Sequence, residues 1–179
     1  MPLALAGATS GSTTLQATDA VTATLTLPSA TGTLLSTANP QSGGVIQVVQ
    51  GTYSTEVSSS SGSYVTTNLT GTITPKFSTS KVLVITSMQI SRDSGTSNNS
   101  GMNLQLQRNG TAIETALSLL YTNTNLKFRS MFAYSYLDSP ASSSAVTYTW
   151  YMAQQNAGDI IYANTNNTQS TIILLEIAA

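Results

Sequence analysis

The segment KVLVITSMQIS (81–91) puts Val82, Val84, Met88 and Ile90 at every second position, with Ser87, Gln89 and Ser91 between the later ones. A period of two is that of a β-strand with one face in a core, because successive side chains leave a strand on opposite sides. Leu83 and Ile85 make its first half apolar on both faces. The same period runs outward in both directions. SYVTTNLTGTITP (63–75) aligns Val65, Thr67, Leu69, Gly71 and Ile73, and Met102, Leu104 and Leu106 alternate with Asn103, Gln105 and Gln107. Asn109-Gly110 follows, a pair suited to the positive φ angles of a tight hairpin turn. VIQVVQ (45–50), LKFRSMFAYSYL (126–137), AVTYTWYMA (145–153), IIYA (160–163) and TIILLEIA (171–178) read as further strands. TAIETALSLLY (111–121) is ambiguous, since ALSLL also fits a helical turn.

About eight or nine short strands joined by turn-rich loops, with no amphipathic helix, predict an all-β fold. An antiparallel β-sandwich of jelly-roll type is the expected closure for residues 45–179. Pro40 and Gly43-Gly44 break the pattern, so 40–44 reads as a Pro/Gly hinge. Residues 1–39 read as an extended, β-rich N-terminal arm, with Val21, Ala23, Leu25 and Leu27 opposite Thr22, Thr24 and Thr26. Such an arm cannot bury enough apolar area to fold alone and needs a neighbour.

Charged residues make up 7% of the 179 residues, and there is no histidine or cysteine. A typical soluble domain carries roughly 25% charge. Imidazole and thiolate chemistry are excluded, and with them a Ser-His-Asp triad. Six scattered cations (Lys76, Lys81, Arg92, Arg108, Lys127 and Arg129) do not form the basic face that nucleic acid requires. No apolar run approaches the ~18 residues of a membrane helix, and MPLALAGATSGS lacks the basic start of a signal peptide. No nucleic-acid partner, membrane insertion, metal or cofactor is expected.

Glycoside hydrolysis needs two carboxylates. Asp138, in Leu-Asp-Ser-Pro, reads as a turn residue, Asp159 as a loop residue, and Glu114 as mid-element. Asp93-Ser-Gly-Thr-Ser-Asn-Asn-Ser100 is rich in oxygen but lacks calcium-loop spacing. Phe128, Phe132, Tyr134 and Tyr136 share one strand parity and read as core, as do Tyr148 and Trp150; Tyr151 faces the other way. In the last strand Ile173, Leu175 and Ile177 are expected inward. Ile172 and Leu174 then point out beside Glu176 as a candidate oligomer interface, the alternative being a strand buried on both faces by its own chain.

KVLVITSMQISRDS, LQLQRNGTAI, YLDSPASSSAVTYTW and STIILLEIAA together resemble a β-domain recurrent in virion proteins of tailed phages, especially marine and freshwater ones. TTLQATDAVTATLTLPSATGTLLSTA is similar to the segment that precedes tail-fibre and other virion-surface domains. The resemblance implies a non-enzymatic structural role on the virion surface, assembly in the host cytoplasm, and a homotrimer. It transfers no site residues. The first expectation is a capsid decoration or cement protein whose arm packs on the major capsid protein or other virion proteins through Leu15, Val21, Leu25, Leu27, Leu34 and Leu35. The alternative is a short tail fibre or fibre tip that recognises a host glycan. Its receptor loops would be 92–101, 154–159 and 164–169, with Asp93, Asn98, Asn99, Tyr151 and Asn156 as contacts.

Overall fold

The computed structural model describes residues 40–93, 100–122, 126–156 and 159–179, with backbone only at Ser100 and for the short segments 3–6 and 12–15. Two compact units divide the chain, Met1–Leu35 and Ser36–Ala179. In the first, β1 (Leu3–Ala6) and β2 (Ser12–Leu15) pair antiparallel, with Leu3 opposite Leu15. The arm residues Val21, Leu25, Leu27, Leu34 and Leu35 lie outside the described residues, as do Asn98 and Asn99.

The second unit holds β3 (Val45–Tyr53), β4 (Val57–Ser59), β5 (Val65–Ile73), β6 (Lys81–Asp93), β7 (Ser100–Arg108) and β8 (Thr111–Thr122), followed by β9 (Phe128–Asp138), β10 (Val146–Gln154), β11 (Ile160–Ala163) and β12 (Ser170–Ile177). β3 and β4 act as one interrupted outer strand, because β3 pairs with β12 and β4 pairs with β11. β11 and β12 in turn share one edge of β6, and β9 takes its other edge. Counting the two interrupted strands once each, the strands run 1-8-3-6 in this first sheet. The second sheet, β5-β10-β7-β8, runs 2-7-4-5. All pairings are antiparallel, and this pair of orders is that of a jelly roll. The expected sandwich is present.

Alternation places the core as read from the sequence on most strands. Leu69, Ile73, Val82, Val84, Met88, Ile90, Met102, Leu104 and Leu106 are buried between the sheets with Val146, Tyr148, Trp150 and Met152. Each such side chain contributes roughly 1.5–3 kcal/mol by leaving water. Trp150 lies at its centre, edge-on to Phe132 (5.0 Å between ring centroids) and Tyr134 (5.8 Å), and its indole N–H donates to Thr86 Oγ1 at 2.8 Å. Phe128 departs from the expected aromatic core: it stands at the far end of β9 and is exposed.

The Asn109-Gly110 turn has φ of 49° and 82°, as a tight hairpin between right-twisted strands requires. The ambiguous segment 111–121 is strand. Its helix-like spacing comes from irregularities: Ser118 and Leu120 take left-handed φ of 56° and 55°, and the pairing with β7 shifts register there.

β12 corrects the expected parity. Ile172 and Leu174, read as an outward interface, are wholly buried in the chain's own core, and Glu176 is buried with them. Ile173, Leu175 and Ile177 point outward instead and are half-buried. The cause is a ready-made set of hydrogen-bond donors at this end of the sandwich. Glu176 Oε1 accepts the N–H groups of Lys76 (2.8 Å) and Phe77 (3.3 Å), and Oε2 accepts Gln47 Nε2 (2.6 Å). Burial pushes the Glu176 carboxyl up, but the hydrogen bonds from Gln47 and these two N–H groups outweigh it and hold the pKa below the ordinary carboxylate value.

The outer faces of the two sheets differ. On the β5-β10-β7-β8 sheet, outward rows run Thr70–Thr149–Gln107 and Thr66–Tyr151–Gln105–Thr115. Their hydroxyls bond across strands, Thr70 to Thr149 at 2.9 Å and Thr72 to Thr147 at 2.8 Å. On the β3-β12-β6-β9 sheet, the corresponding rows are Val48–Leu175–Leu83–Leu137 and Gln50–Ile173–Ile85–Ser135.

Candidate functional site

The far end of that first sheet carries a polar cleft. β6 reaches it through Ser91, which pairs with Tyr162 of β11 on one side and Arg129 of β9 on the other, while Tyr162 pairs with Ser58 of β4. The interruptions in strands 1 and 8 fall at this level and form its wall. Between β11 and β12 the chain leaves the sheet as Asn164-Thr-Asn-Asn-Thr168, including a single 3-10 turn at Thr165–Asn167. Asn164, Asn166 and Asn167 take φ of 55°, 58° and 56°, a left-handed region that asparagine enters more readily than most residues.

The loop is fastened to the β3–β4 turn. Glu56 N–H donates to Asn167 Oδ1 (3.0 Å), and Asn166 N–H donates to Glu56 Oε2 (2.8 Å). Asn164 Nδ2 bridges the carbonyls of Thr55 (3.1 Å) and Thr67 (3.2 Å). Left-handed non-glycine residues cost energy and persist where surrounding bonds hold them, as these do.

The resulting cleft, about 130 Å³, is lined by Glu56, Ser91, Lys127, Arg129, Tyr162, Thr165 and Asn166. Thr165 Oγ1 and Ser91 Oγ, 3.0 Å apart, form a hydrogen-bonded pair in its lining. Lys127 Nζ stands 5.7 Å from the centre of the Tyr162 ring and 2.9 Å from Asp93 Oδ2. Arg129 is exposed and, among the described residues, makes no ion pair. The volume equals roughly four waters, enough for one small polar group or the edge of one sugar ring. A guanidinium fork, an ammonium and a fixed carboxylate suit hydroxyl and carboxylate recognition. Glu56 is the one carboxylate among these lining residues.

Of the residues expected to contact a receptor, Asp93, Tyr151 and Asn156 are among the described residues, and Asn98 and Asn99 lie outside them. Asp93 lies at the rim of this cleft, paired to Lys127. Tyr151 is half-buried on the outer face of the opposite sheet, between Thr66 and Gln105. Asn156 is exposed after β10. Of the expected loops, 164–169 contributes to the cleft through Thr165 and Asn166. Glu56, Lys127, Arg129 and Tyr162 escaped the sequence reading.

Two carboxylates read as turn or loop residues are buried and paired. Asp159 accepts Arg92 Nε at 2.6 Å, with both side chains fully enclosed. Asp138 accepts Arg108 Nη1 at 2.9 Å through both its oxygens and the Tyr148 hydroxyl at 2.7 Å, joining the two sheets. Burial, followed by the hydrogen bond to Asp138, pushes the Tyr148 hydroxyl far above its ordinary pKa. These groups are structural.

No protein-family model and no curated protein matches the chain. Among solved structures, it is similar to one of the infectious bursal disease virus Gt strain, at 12% identity and a TM-score of 0.42, covering 98% of this chain and 46% of that one. A subviral particle of VP2 from the same virus matches at 12% identity and a TM-score of 0.41, covering 94% and 44%. Dimeric latent PorU from Porphyromonas gingivalis matches at 11% identity and a TM-score of 0.33, covering 77% and 14%. The chain thus spans less than half the length of the viral proteins it matches. Among the described residues, no helix is long and apolar enough to cross a membrane.

Proposed function

We propose that the protein is a non-enzymatic structural component of a tailed-phage virion, a capsid decoration or cement protein. Residues 1–39 attach it to the head shell, and the jelly roll projects outward as part of a homo-oligomer. The observation that carries this reading is the pairing of a jelly roll with neutral outer faces, Thr/Gln on one sheet and Val/Leu/Ile on the other. Such surfaces suit lasting packing, and the phage-like wording of the strands and arm points to a particle. Contacts of this kind depend little on salt, since few charges take part. The test is attachment to purified heads with and without residues 1–39, with immunogold labelling to locate the protein. Labelled heads and loss of binding on deletion are expected; undiminished binding of the deleted form overturns the arm's role.

The cleft favours a second reading, a fibre tip that recognises a host glycan. Arg129 and Lys127 would hold an acidic sugar, and Glu56 and Asn166 its hydroxyls. On a glycan array this reading expects binding that Arg129→Ala abolishes. An array without signal, together with label over the whole head, removes it.

A further inference from the structure

We propose that the outer face of the β3-β12-β6-β9 sheet is a self-association surface, covered by the same face of a second copy of this chain. The comparison that carries it is internal. One chain dresses the outside of its two sheets differently: hydrogen-bonded Thr and Gln on one, and a row of Val48, Leu175, Leu83 and Leu137 across all four strands of the other. An antiparallel sheet with a solvated outer face ordinarily shows polar residues there. Val48 is 59% exposed and Leu137 51%, so the row lies open in the single chain.

Charge and area select the occupant. Among the described residues Lys81, at the margin, is the one charged residue near these rows, and Arg129 and Lys127 lie beyond at the cleft. A face without charge offers an oppositely charged partner nothing to pair with, but it complements itself, as a two-fold contact requires. With strands ~4.8 Å apart and outward residues ~6.8 Å apart, the face from Lys81 to Gln89 has a footprint of roughly 19 by 34 Å. That is about 650 Å² before side-chain relief, close to the ~800 Å² per partner of a stable interface. Apolar rows at one end and Thr, Ser and Gln around them give the core-and-rim layout of such contacts. The inference stands apart from the virion reading, because it concerns how copies pair and not what they attach to.

The test is the solution mass of the full chain by light scattering and sedimentation, with the variant Val48→Glu/Leu137→Glu beside it. Both positions are half open to water, so the monomer fold should be kept, as circular dichroism will check. A wild-type dimer at about 50 μM that weakens at least ~100-fold in the variant is expected, since each contact would bury unpaired carboxylates. Gln107→Glu on the other sheet should leave the dimer unchanged. The chain has no cysteine, so Leu137→Cys supplies a unique thiol that dimerisation should shield from maleimide. A monomeric wild type, a trimeric mass, or a variant of unchanged mass overturns the proposal. So does a monomer in which the introduced thiol is already shielded, which would mean that the chain's own N-terminal residues cover the face.

Discussion

Replacing Glu176 by glutamine removes one negative charge from a site where the carboxylate is fully enclosed. The new side chain can still accept the Lys76 and Phe77 N–H groups through its carbonyl oxygen. Its amide nitrogen then takes the place of Oε2, 2.6 Å from Gln47 Nε2, so two donors face each other. Turning the Gln47 amide over does not help, because Gln47 Nε2 also donates to Thr74 O at 2.7 Å. One buried hydrogen bond is therefore lost and two are weakened from charge-assisted to neutral, a cost of about 2–3 kcal/mol. For a domain of this size, with ~2–4 °C per kcal/mol, the midpoint should fall by roughly 4–12 °C at pH 7. The pH dependence follows from the sign of the shift. Glu176 has a lowered pKa in the folded state, so its contribution is present above the ordinary carboxylate value of 4.5 and is lost as pH falls through the folded value. Thermal melts of both proteins from pH 7 to pH 3 should show a gap that is constant down to about pH 5 and narrows below it. Equal midpoints at pH 7, or a gap that stays constant to pH 3, would refute the account of why β12 faces the way it does.

Three further outcomes follow from the geometry. Thr86→Val keeps the shape but strips the acceptor from the buried Trp150 indole, which should cost about 1–3 kcal/mol. The chain has one tryptophan, so its blue-shifted emission reports the unfolding midpoint directly; a midpoint equal to wild type would deny the bond. Gly51→Ala drives a Cβ into the Thr70 carbonyl oxygen, where β3 closes onto β5; soluble yield or the midpoint should fall sharply. Gly62→Ala, with nothing within 4 Å, serves as the control and should melt with wild type. If the two glycine variants behave alike, the close approach of the two sheet edges is not real. Finally, Arg129→Ala should leave the midpoint within ~1 °C of wild type, as an exposed cation without an ion-pair partner among the described residues contributes little; a large loss would mean that the cleft is held together by Arg129 and is not open to a ligand.

Central strands were legible because one face of each is buried by the opposite sheet and the other meets water. Met88/Ile90, Met102/Leu104/Leu106 and Val146/Tyr148/Trp150 could be oriented from alternation alone. β12 could not, because both its faces are apolar and only Glu176 distinguishes them. Reading a charge as outward is sound on average, since burying a lone carboxylate is costly. Here it fails because the donors come from Lys76 and Phe77, a turn about a hundred positions away that local pattern does not reveal. Asp138 and Asp159 misled in the same way: each sits in a turn-like or loop-like sequence, and each is matched by an arginine from a distant strand.

The cleft was hidden for a related reason, since its lining comes from the β3–β4 turn, β6, the residue before β9, β9 itself, β11 and the loop after β11. One signal was available. Asn164-Thr-Asn-Asn interrupts an otherwise apolar closing strand, and asparagine is the residue to expect where a chain must leave a sheet through left-handed turns. That excursion explains why one sheet face has two characters. Below it, β12 and β3 pair in one register from Ser170 to Glu176 and bring Leu175 and Val48 into one apolar row. Above it, the paired strands are the short β11 and β4, and the loop and Glu56 stand over Tyr162 and Arg129. A shorter, closed β11–β12 connection would extend the uninterrupted pairing toward the cleft and remove its wall. The six-residue detour, Asn164 to Gln169, is therefore what separates a packing surface from a polar recess on the same four strands.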